Sequence, residues 1–513
     1  MEGQQFILGI DLGTSAVKVL VCDRHGNIVT HSTKPYELDQ SGGVGYSEQN
    51  PEHWVHATFD AIKEIVHSGL VKSDSIAGMS FSGMMHTLVL LDKQHNVLRP
   101  AILWNDTRNS KQCNDINKII GSKKFIEITG NKPLEGFTLP KILWVKENQP
   151  DIYSRMATFL LPKDYLRFRI TGKIGMELSD ASGCVMMDMK DHKWSKEILD
   201  PLGIDIGICP PLYQSLEDAG PILKEVCEKT GLSINTKVFF GAADNAAAAI
   251  GGGAILSPNQ ALSMIGSSGV VLNHESEFIN YNGEIHTFIH AIPNQYYSMG
   301  VTLNAGYSLS WLKNILQDPS IVSGPDDIKT LVDIAKNESC VGAKGLLFTP
   351  YLNGERTPYT DSQIRASFIG LDSTHKRGDL VRSCLEGIVF SFQDIFEIYN
   401  RVKSGSSSID HVIALGGGSK SDLWMQIQAD IFNKPILSLE NSQGGPSLGA
   451  AMIAAVALQW YPDFEQCSKA FLKFGKSFNP IAENQEKYSK LYQIYRKVYE
   501  STKEICHQLY QFK

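Results

Sequence analysis

The residues best suited to chemistry are two aspartates and two turns of small residues. Asp11 ends the apolar run Phe6-Ile-Leu-Gly-Ile-Asp11 and leads into Gly13-Thr14-Ser15. Near mid-chain, Gly266-Ser267-Ser268-Gly269 separates two further apolar runs, Ala261–Ile265 and Val270–Leu272. Each reads as a hairpin tip that exposes backbone amides and hydroxyls without bulky side chains. Amides and hydroxyls converging on one point suit phosphate oxygens, although either tip alone is also an ordinary turn of a twisted sheet. The device occurs once in each half, which points to two related domains gripping one polyphosphate. A carboxylate at the position of Asp11 can hold a hydrated Mg²⁺. There is no Gly-x-x-x-x-Gly-Lys-[Ser/Thr] and no Gly-x-Gly-x-x-Gly after the first strand, so the grip is neither a P-loop nor a dinucleotide fingerprint.

Asp244 stands in Gly241-Ala-Ala-Asp244-Asn245 ahead of an alanine run. That is what a helix N-cap looks like. It is equally a carboxylate at the mouth of an α/β cleft, where it could orient a hydroxyl and take its proton during phosphoryl transfer. With an unperturbed pKa of about 3.9, aspartate is ionised for that task. His86, in Gly83-Met84-Met85-His86-Thr87, could donate a hydrogen bond to a sugar hydroxyl or be a satisfied loop histidine. Trp104-Asn105-Asp106-Thr107-Arg108 offers an aromatic face beside amide, carboxylate and guanidinium groups, a sugar-binding set or a capped turn with an ion pair. Gly416-Gly417-Gly418, followed by Ser419-Lys420-Ser421, would let an adenine or ribose approach the backbone, or is a plain strand–helix turn.

The elements that must position these groups alternate strand and helix, so the class is α/β. Strands are expected at Phe6–Asp11, Ala16–Cys22, Asn27–His31, Ile76–Ser80, Ala261–Leu272 and Val412–Leu415. Helices are expected over Pro51–His67, Pro162–Ile170, Leu303–Ile315 and Leu448–Trp460. The glycine-marked passage Gly251–Pro258 suggests a division into domains 1–253 and 254–513. Near the C-terminus, Tyr488, Leu491, Tyr495, Val498, Tyr499, Ile505 and Leu509 form a helical stripe expected to pack on a sheet face.

At 513 residues, with 42% hydrophobic and 20% charged residues, the chain is globular and too long for one core. A net charge of −7 argues against nucleic acid or an anionic membrane as a partner. Nine dispersed cysteines without a Cys-x-x-Cys pair read as reduced thiols, and no signal peptide is evident, so the cytoplasm is expected.

The chain resembles the FGGY carbohydrate kinases, a branch of the sugar kinase, actin and chaperone ATPase superfamily. Gly136-Phe-Thr138-Leu-Pro-Lys141-Ile-Leu-Trp144 is similar to one family signature. Ala366-Ser-Phe368-Ile-Gly370-Leu371, continuing to Asp379-Leu380-Val-Arg-Ser-Cys384-Leu-Glu386, is similar to the other. Tyr46-Ser-Glu48-Gln49, Leu161-Pro-Lys-Asp-Tyr-Leu-Arg167, Ser179-Asp-Ala-Ser-Gly183 and Pro350-Tyr-Leu-Asn-Gly-Glu-Arg-Thr-Pro358 resemble the xylulose kinase branch. The resemblance implies two ribonuclease-H-like domains of the actin and hexokinase type, closing on a catalytic cleft. It implies transfer of the γ-phosphoryl group of ATP to a terminal hydroxyl of a ketopentose, D-xylulose first.

By the same resemblance Asp244 is the catalytic base and Asp11 the carboxylate associated with Mg²⁺. Met85, His86, Trp104, Asn105 and Asn245, with Asp244, would meet the sugar. Gly13, Thr14, Ser15, Lys18, Gly266, Ser267, Ser268, Gly416, Gly417, Gly418 and Ser421 would meet ATP, and a homodimer is compatible with the family. Met84 stands where that branch has glutamine, deleting an amide expected near the sugar. Gluconate or another pentulose is the alternative acceptor, Arg108 being the one cation among these motifs for a carboxylate. A switch ATPase on the same fold is the alternative from another class.

Overall fold

The computed structural model describes residues 4–38, 42–43, 45–254, 259–316, 327–403, 409–440 and 444–512. In the first lobe, β1 (Phe6–Leu12), β2 (Ala16–Asp23) and β3 (Ile28–Pro35) form an antiparallel meander. On the other side of β1 lie β4 (Ile76–Gly83) and β5 (Lys237–Val238), both in parallel, giving the spatial order β3-β2-β1-β4-β5. A short β6 (Ala242–Ala243) also pairs with β4, opposite Ser82 and Gly83.

The second lobe repeats the plan. Its strands are β7 (Gln260–Ile265), β8 (Gly269–Glu275), β9 (His286–Ile289), β10 (Tyr296–Thr302), β11 (His411–Gly416), β12 (Ile436–Leu439) and β13 (Phe474–Phe478). Five of them run in the order β10-β8-β7-β11-β12, antiparallel through the first three and parallel from β7 onward. This is the topology of the first sheet, with β9 and β13 added at the edges. The hairpin β1–β2 therefore occupies in one lobe the place that β7–β8 occupies in the other. Central strands buried on both faces need continuous apolar runs, which is how β1 and β7 read.

Helix α1 (Pro51–His67) begins where its sequence says it should: the Asn50 side chain accepts from the Glu52 amide at 3.0 Å, and Pro51 fills the first turn. Pro162–Thr171 ends at Gly172 in the left-handed region. The helix expected from Leu303 starts at Gly306 and runs to Leu316. Of the expected boundary passage, residues 255–258 lie outside the described residues; α2 (Asp244–Gly251) occupies its start.

Four further helices bear on the packing of the lobes, α3 (Arg377–Val402), α4 (Asp422–Phe432), α5 (Gly445–Ala457) and α6 (Ala482–Tyr510). Although α5 comes late in the chain, it lies against β1, β4 and α2 of the first lobe. The approach is backbone to backbone. A Cβ on Gly449 would come within 1.9 Å of the Ala247 carbonyl oxygen, and one on Gly9 within 1.9 Å of the Ser447 carbonyl oxygen. The small-residue run Gly-Pro-Ser-Leu-Gly-Ala-Ala exists for this crossing.

The C-terminal stripe is corrected in part. Tyr488, Tyr495, Val498 and Tyr499 are buried, but Ile505 and Leu509 are 58% and 59% exposed. The helix packs mainly on other helices, with Tyr488, Tyr492 and Tyr495 around Phe390 of α3, and touches a sheet only at the short strand Leu347–Thr349. The sheet face is already covered there by α3 and α4.

Candidate active site

Asp11 and Asp244 reach one place because three strands end together. Asp11 pairs across to Ser82 of β4, and Ser82 pairs to Ala242 of β6, after which the chain turns into α2 at Asp244. Both carboxylates thus stand at the carboxyl ends of neighbouring parallel strands, where α/β sheets place their ligands. Ser82 Oγ donates to Asp11 Oδ1 at 2.9 Å, and Lys18 faces Asp11 across the β1–β2 ladder. Burial raises the pKa of Asp11 against the opposing pull of Ser82 and Lys18.

The N-cap of α2 is Ala243, not Asp244, and no side chain caps this helix. Asp244 Oδ1 accepts from the Asn245 amide at 2.7 Å and from Asn245 Nδ2 at 3.0 Å. Burial, with the negative charge of Asp11 second, pushes its pKa up to about 7. Two half-buried carboxylates that repel each other suit a site where a cation and a proton acceptor are both required. Among the described residues no cluster of three or more His, Cys, Asp or Glu side chains is placed to hold a metal. One or two carboxylates completed by water and phosphate oxygens are what Mg²⁺ takes, and Asp11 fits that donor set.

Both hairpin tips have their carbonyls tied down and their amides free. In the first, Tyr36 Oη donates to Gly13 O, Gln49 Nε2 to Thr14 O at 2.8 Å, and the Tyr36 amide to Ser15 O at 3.0 Å. In the second, the Gly306 amide donates to Gly266 O at 2.8 Å, and the Ala305 and Tyr307 amides donate to Ser267 O at 2.9 and 3.1 Å. Ser268 O accepts from the Gly266 amide at 3.0 Å. Among the described residues, the amides of Thr14, Ser15, Ser267 and Ser268 donate to no acceptor. A turn held this way presents N–H groups outward and is built for an anion. Tyr36 does not stand out in the sequence and Gln49 does so only within a family-like stretch, because each serves the tip from a distant segment.

Gly416–Gly418 lies beside the second tip because β7 and β11 pair in parallel, Ile265 opposite Gly416. Gly416 has φ +79°, and its Cβ would meet Ile265 O at 2.5 Å, so the strand can turn away only with glycine there. Ser421 caps α4, accepting from the Trp424 amide at 3.2 Å.

On the sugar side, His86 Nδ1 lies 2.8 Å from Gly183 O. A carbonyl only accepts, so Nδ1 carries the proton. Burial, then the Lys141 charge, keeps the ring neutral, with its pKa well below the usual histidine value. Nε2 is therefore a bare acceptor, and the expected hydrogen bond from His86 to a hydroxyl reverses direction. Lys141, a fully buried lysine, donates to the His86 and Gly136 carbonyls at 2.9 and 2.6 Å. Met85 Sδ receives Asn245 Nδ2 at 3.7 Å and Tyr297 Oη at 3.5 Å. Trp104 Nε1 donates to Thr14 Oγ1 at 2.9 Å, joining the indole to the first tip. Asn105 is exposed beside it.

Two sequence readings change. Asp106 is fully buried and holds Arg108 through Nη2 at 2.6 Å, with Glu48 on Arg108 Nη1 at 2.6 Å and the Ser47 amide on Asp106 at 2.7 Å. Both charges are spent on structure, so Arg108 is unavailable to a carboxylate substrate. Met84 is 2% exposed and packs into the core beneath α1, whereas Met85 packs toward Phe137 and Phe288. The missing amide at position 84 thus faces packing and not the cleft.

Residues 6–251 match the N-terminal domain of the FGGY family of carbohydrate kinases, and residues 261–458 match its C-terminal domain. The chain belongs to the FGGY family of carbohydrate kinases. The xylulose kinase of Bacillus subtilis (strain 168) is 44% identical over 514 residues, covering 99% of each chain. Two solved Lactobacillus acidophilus proteins share the fold at 27% identity. A gluconate kinase superposes with a TM-score of 0.89 over 98% of both chains. A ligand-bound xylulose kinase gives 0.88 over 97% of this chain and 98% of that one. The two-lobed α/β fold is thus the FGGY fold of actin and hexokinase type. The protein is a carbohydrate kinase, with ATP as the family's phosphoryl donor.

Proposed function

We propose that this kinase phosphorylates D-xylulose at its terminal hydroxyl, with Asp244 as the base, in the cytoplasm and with its lobes divided near residues 253 and 254. The single observation carrying the mechanism is that Asp11 and Asp244 stand at the carboxyl ends of the two strands that flank β4, with the first tip of free amides directly after Asp11. The substrate rests on full-length similarity at 44% identity to a xylulose kinase.

The acceptor hydroxyl gives its proton to the open Asp244 oxygen as it attacks the γ-phosphorus, and ADP leaves. Thr14, Ser15, Ser267 and Ser268 offer their amides to the phosphate oxygens, and the glycine turn at Gly416 takes the adenosine. Lys18, opposite Asp11, adds positive charge to that side. Asp11 would hold Mg²⁺, which supplies charge neutralisation to the transferring phosphate. His86 Nε2 accepts from a sugar hydroxyl, with Met85, Asn245, Trp104 and Asn105 lining the same space. The phosphoryl-transfer transition state is loose, so alignment and charge do most of the work.

An aldonate acceptor such as gluconate is a second reading, favoured by one observation. The half-buried Arg356 guanidinium makes no hydrogen bond or ion pair among the described residues, and its charge is felt by His86 and His286. The direct test of the mechanism is Asp244→Asn, assayed by ADP release with D-xylulose. Turnover is expected to fall about 10²- to 10⁴-fold with ATP binding intact. A folded variant with near-normal turnover contradicts the role of Asp244.

A further inference from the structure

The turn Glu177–Gly183 contributes no side chain to the proposed reaction, yet it is tethered by a buried ionic cluster. Its own Glu177 and Asp180 meet Lys163, Asp164 and Arg167 behind it, all five fully buried. Lys163 Nζ stands 2.9 Å from Asp180, 3.1 Å from Asp164 and 3.5 Å from Glu177. Three acids around one lysine, deep in a lobe, are a poor way to gain stability. They are a good way to hold a short segment in one conformation.

That segment reaches three parts of the site. Ser179 Oγ donates to Glu177 Oε2 at 2.6 Å and accepts from the Ala243 amide at 2.8 Å, so it grips the residue immediately before Asp244. Gly183 O receives His86 Nδ1 at 2.8 Å and thereby sets the tautomer of that ring. Ser182 Oγ accepts from the Ile289 amide at 3.1 Å, on the edge strand β9 of the opposite lobe.

We propose that the Glu177–Gly183 turn is a positioning element of the active site, and that Ser179 is the positioning residue that sets Asp244 against the acceptor hydroxyl. The inference rests on the kinase reading with Asp244 as base. Lys163 fixes Glu177, Glu177 fixes Ser179, and Ser179 fixes the start of α2. Ser215 supplies a matched control. Its Oγ donates to the other Glu177 oxygen at 2.8 Å and is as buried as Ser179, but its side chain does not touch the Asp244 turn.

The test compares Ser179→Ala with Ser215→Ala in full-length protein, measuring kcat, both KM values and the melting temperature. A displacement of the base by about an ångström costs on the order of 10²-fold in rate. Ser179→Ala is therefore expected to lower kcat about 10- to 100-fold with the ATP KM within about twofold, and Ser215→Ala to keep kcat within about threefold at a similar loss of melting temperature. Ser179→Cys keeps the shape but not the hydrogen bonding, and carries the same expectation if Ser179→Ala does not fold. Equal kcat values in the Ser179 and Ser215 variants overturn the positioning role while leaving the kinase reading intact. Wild-type protein that releases no ADP with any sugar overturns both.

Discussion

Asp244 carries a carboxyl group that must be ionised to accept a proton, yet burial and Asp11 push its pKa up to about 7. Below that pH the base is protonated, so kcat/KM is expected to rise with pH and level off above about 7. Removing the Asp11 charge makes ionisation of Asp244 easier, so Asp11→Asn should move the acid limb of the residual activity to lower pH. A limb that stays in place, or moves upward, contradicts the coupling. His86 is proposed to meet the other substrate. Losing one hydrogen bond of about 1 kcal/mol, His86→Ala should raise the sugar KM roughly 5- to 10-fold and leave that of ATP unchanged. Equal changes in both would rule out contact with the sugar. The sequence shows both residues, but not their chemistry. The proton on His86 is decided by the carbonyl of Gly183, 97 residues away. Arg108 is held by its neighbour Asp106, a pairing the sequence offers, and its remaining nitrogen is taken by Glu48, far up the chain.

Local signals are strong enough to read most elements. Pro51 and Asn50 start α1, Gly172 ends Pro162–Thr171, and the two tips interrupt apolar runs that can only be central strands. What local sequence does not reveal is which element lies on which. Glycine and alanine in α5 read as a generic buried helix, whereas the structure puts its Gly449 against Ala247 of α2 and its Ser447 against Gly9 of β1. The C-terminal stripe failed for the same reason, since Ile505 and Leu509 share its period but reach past the body they would pack on. Gly449→Ala puts a methyl group 1.9 Å from a backbone oxygen that cannot turn aside. It is expected to cost about 1–3 kcal/mol in urea unfolding. An unchanged midpoint would show that α2 and α5 can separate freely.

At the scale of the molecule, one topology is used twice, and each lobe contributes an equivalent hairpin tip with free amides. The lobes are also joined at the far end of the cleft. Buried Asn131 donates to Thr287 O at 2.8 Å and accepts from the Thr287 amide at 3.3 Å, while Ser182 takes the amide of Ile289. The first lobe thus clamps the edge strand β9 of the second. On the proposed mechanism, phosphoryl transfer in this cleft waits for a sugar. ADP release with Mg-ATP in the presence of D-xylulose, D-ribulose, L-ribulose or gluconate, and with no acceptor, tests this. The expected result is turnover that depends on acceptor and is fastest with D-xylulose. ADP release at the same rate with no acceptor would contradict it.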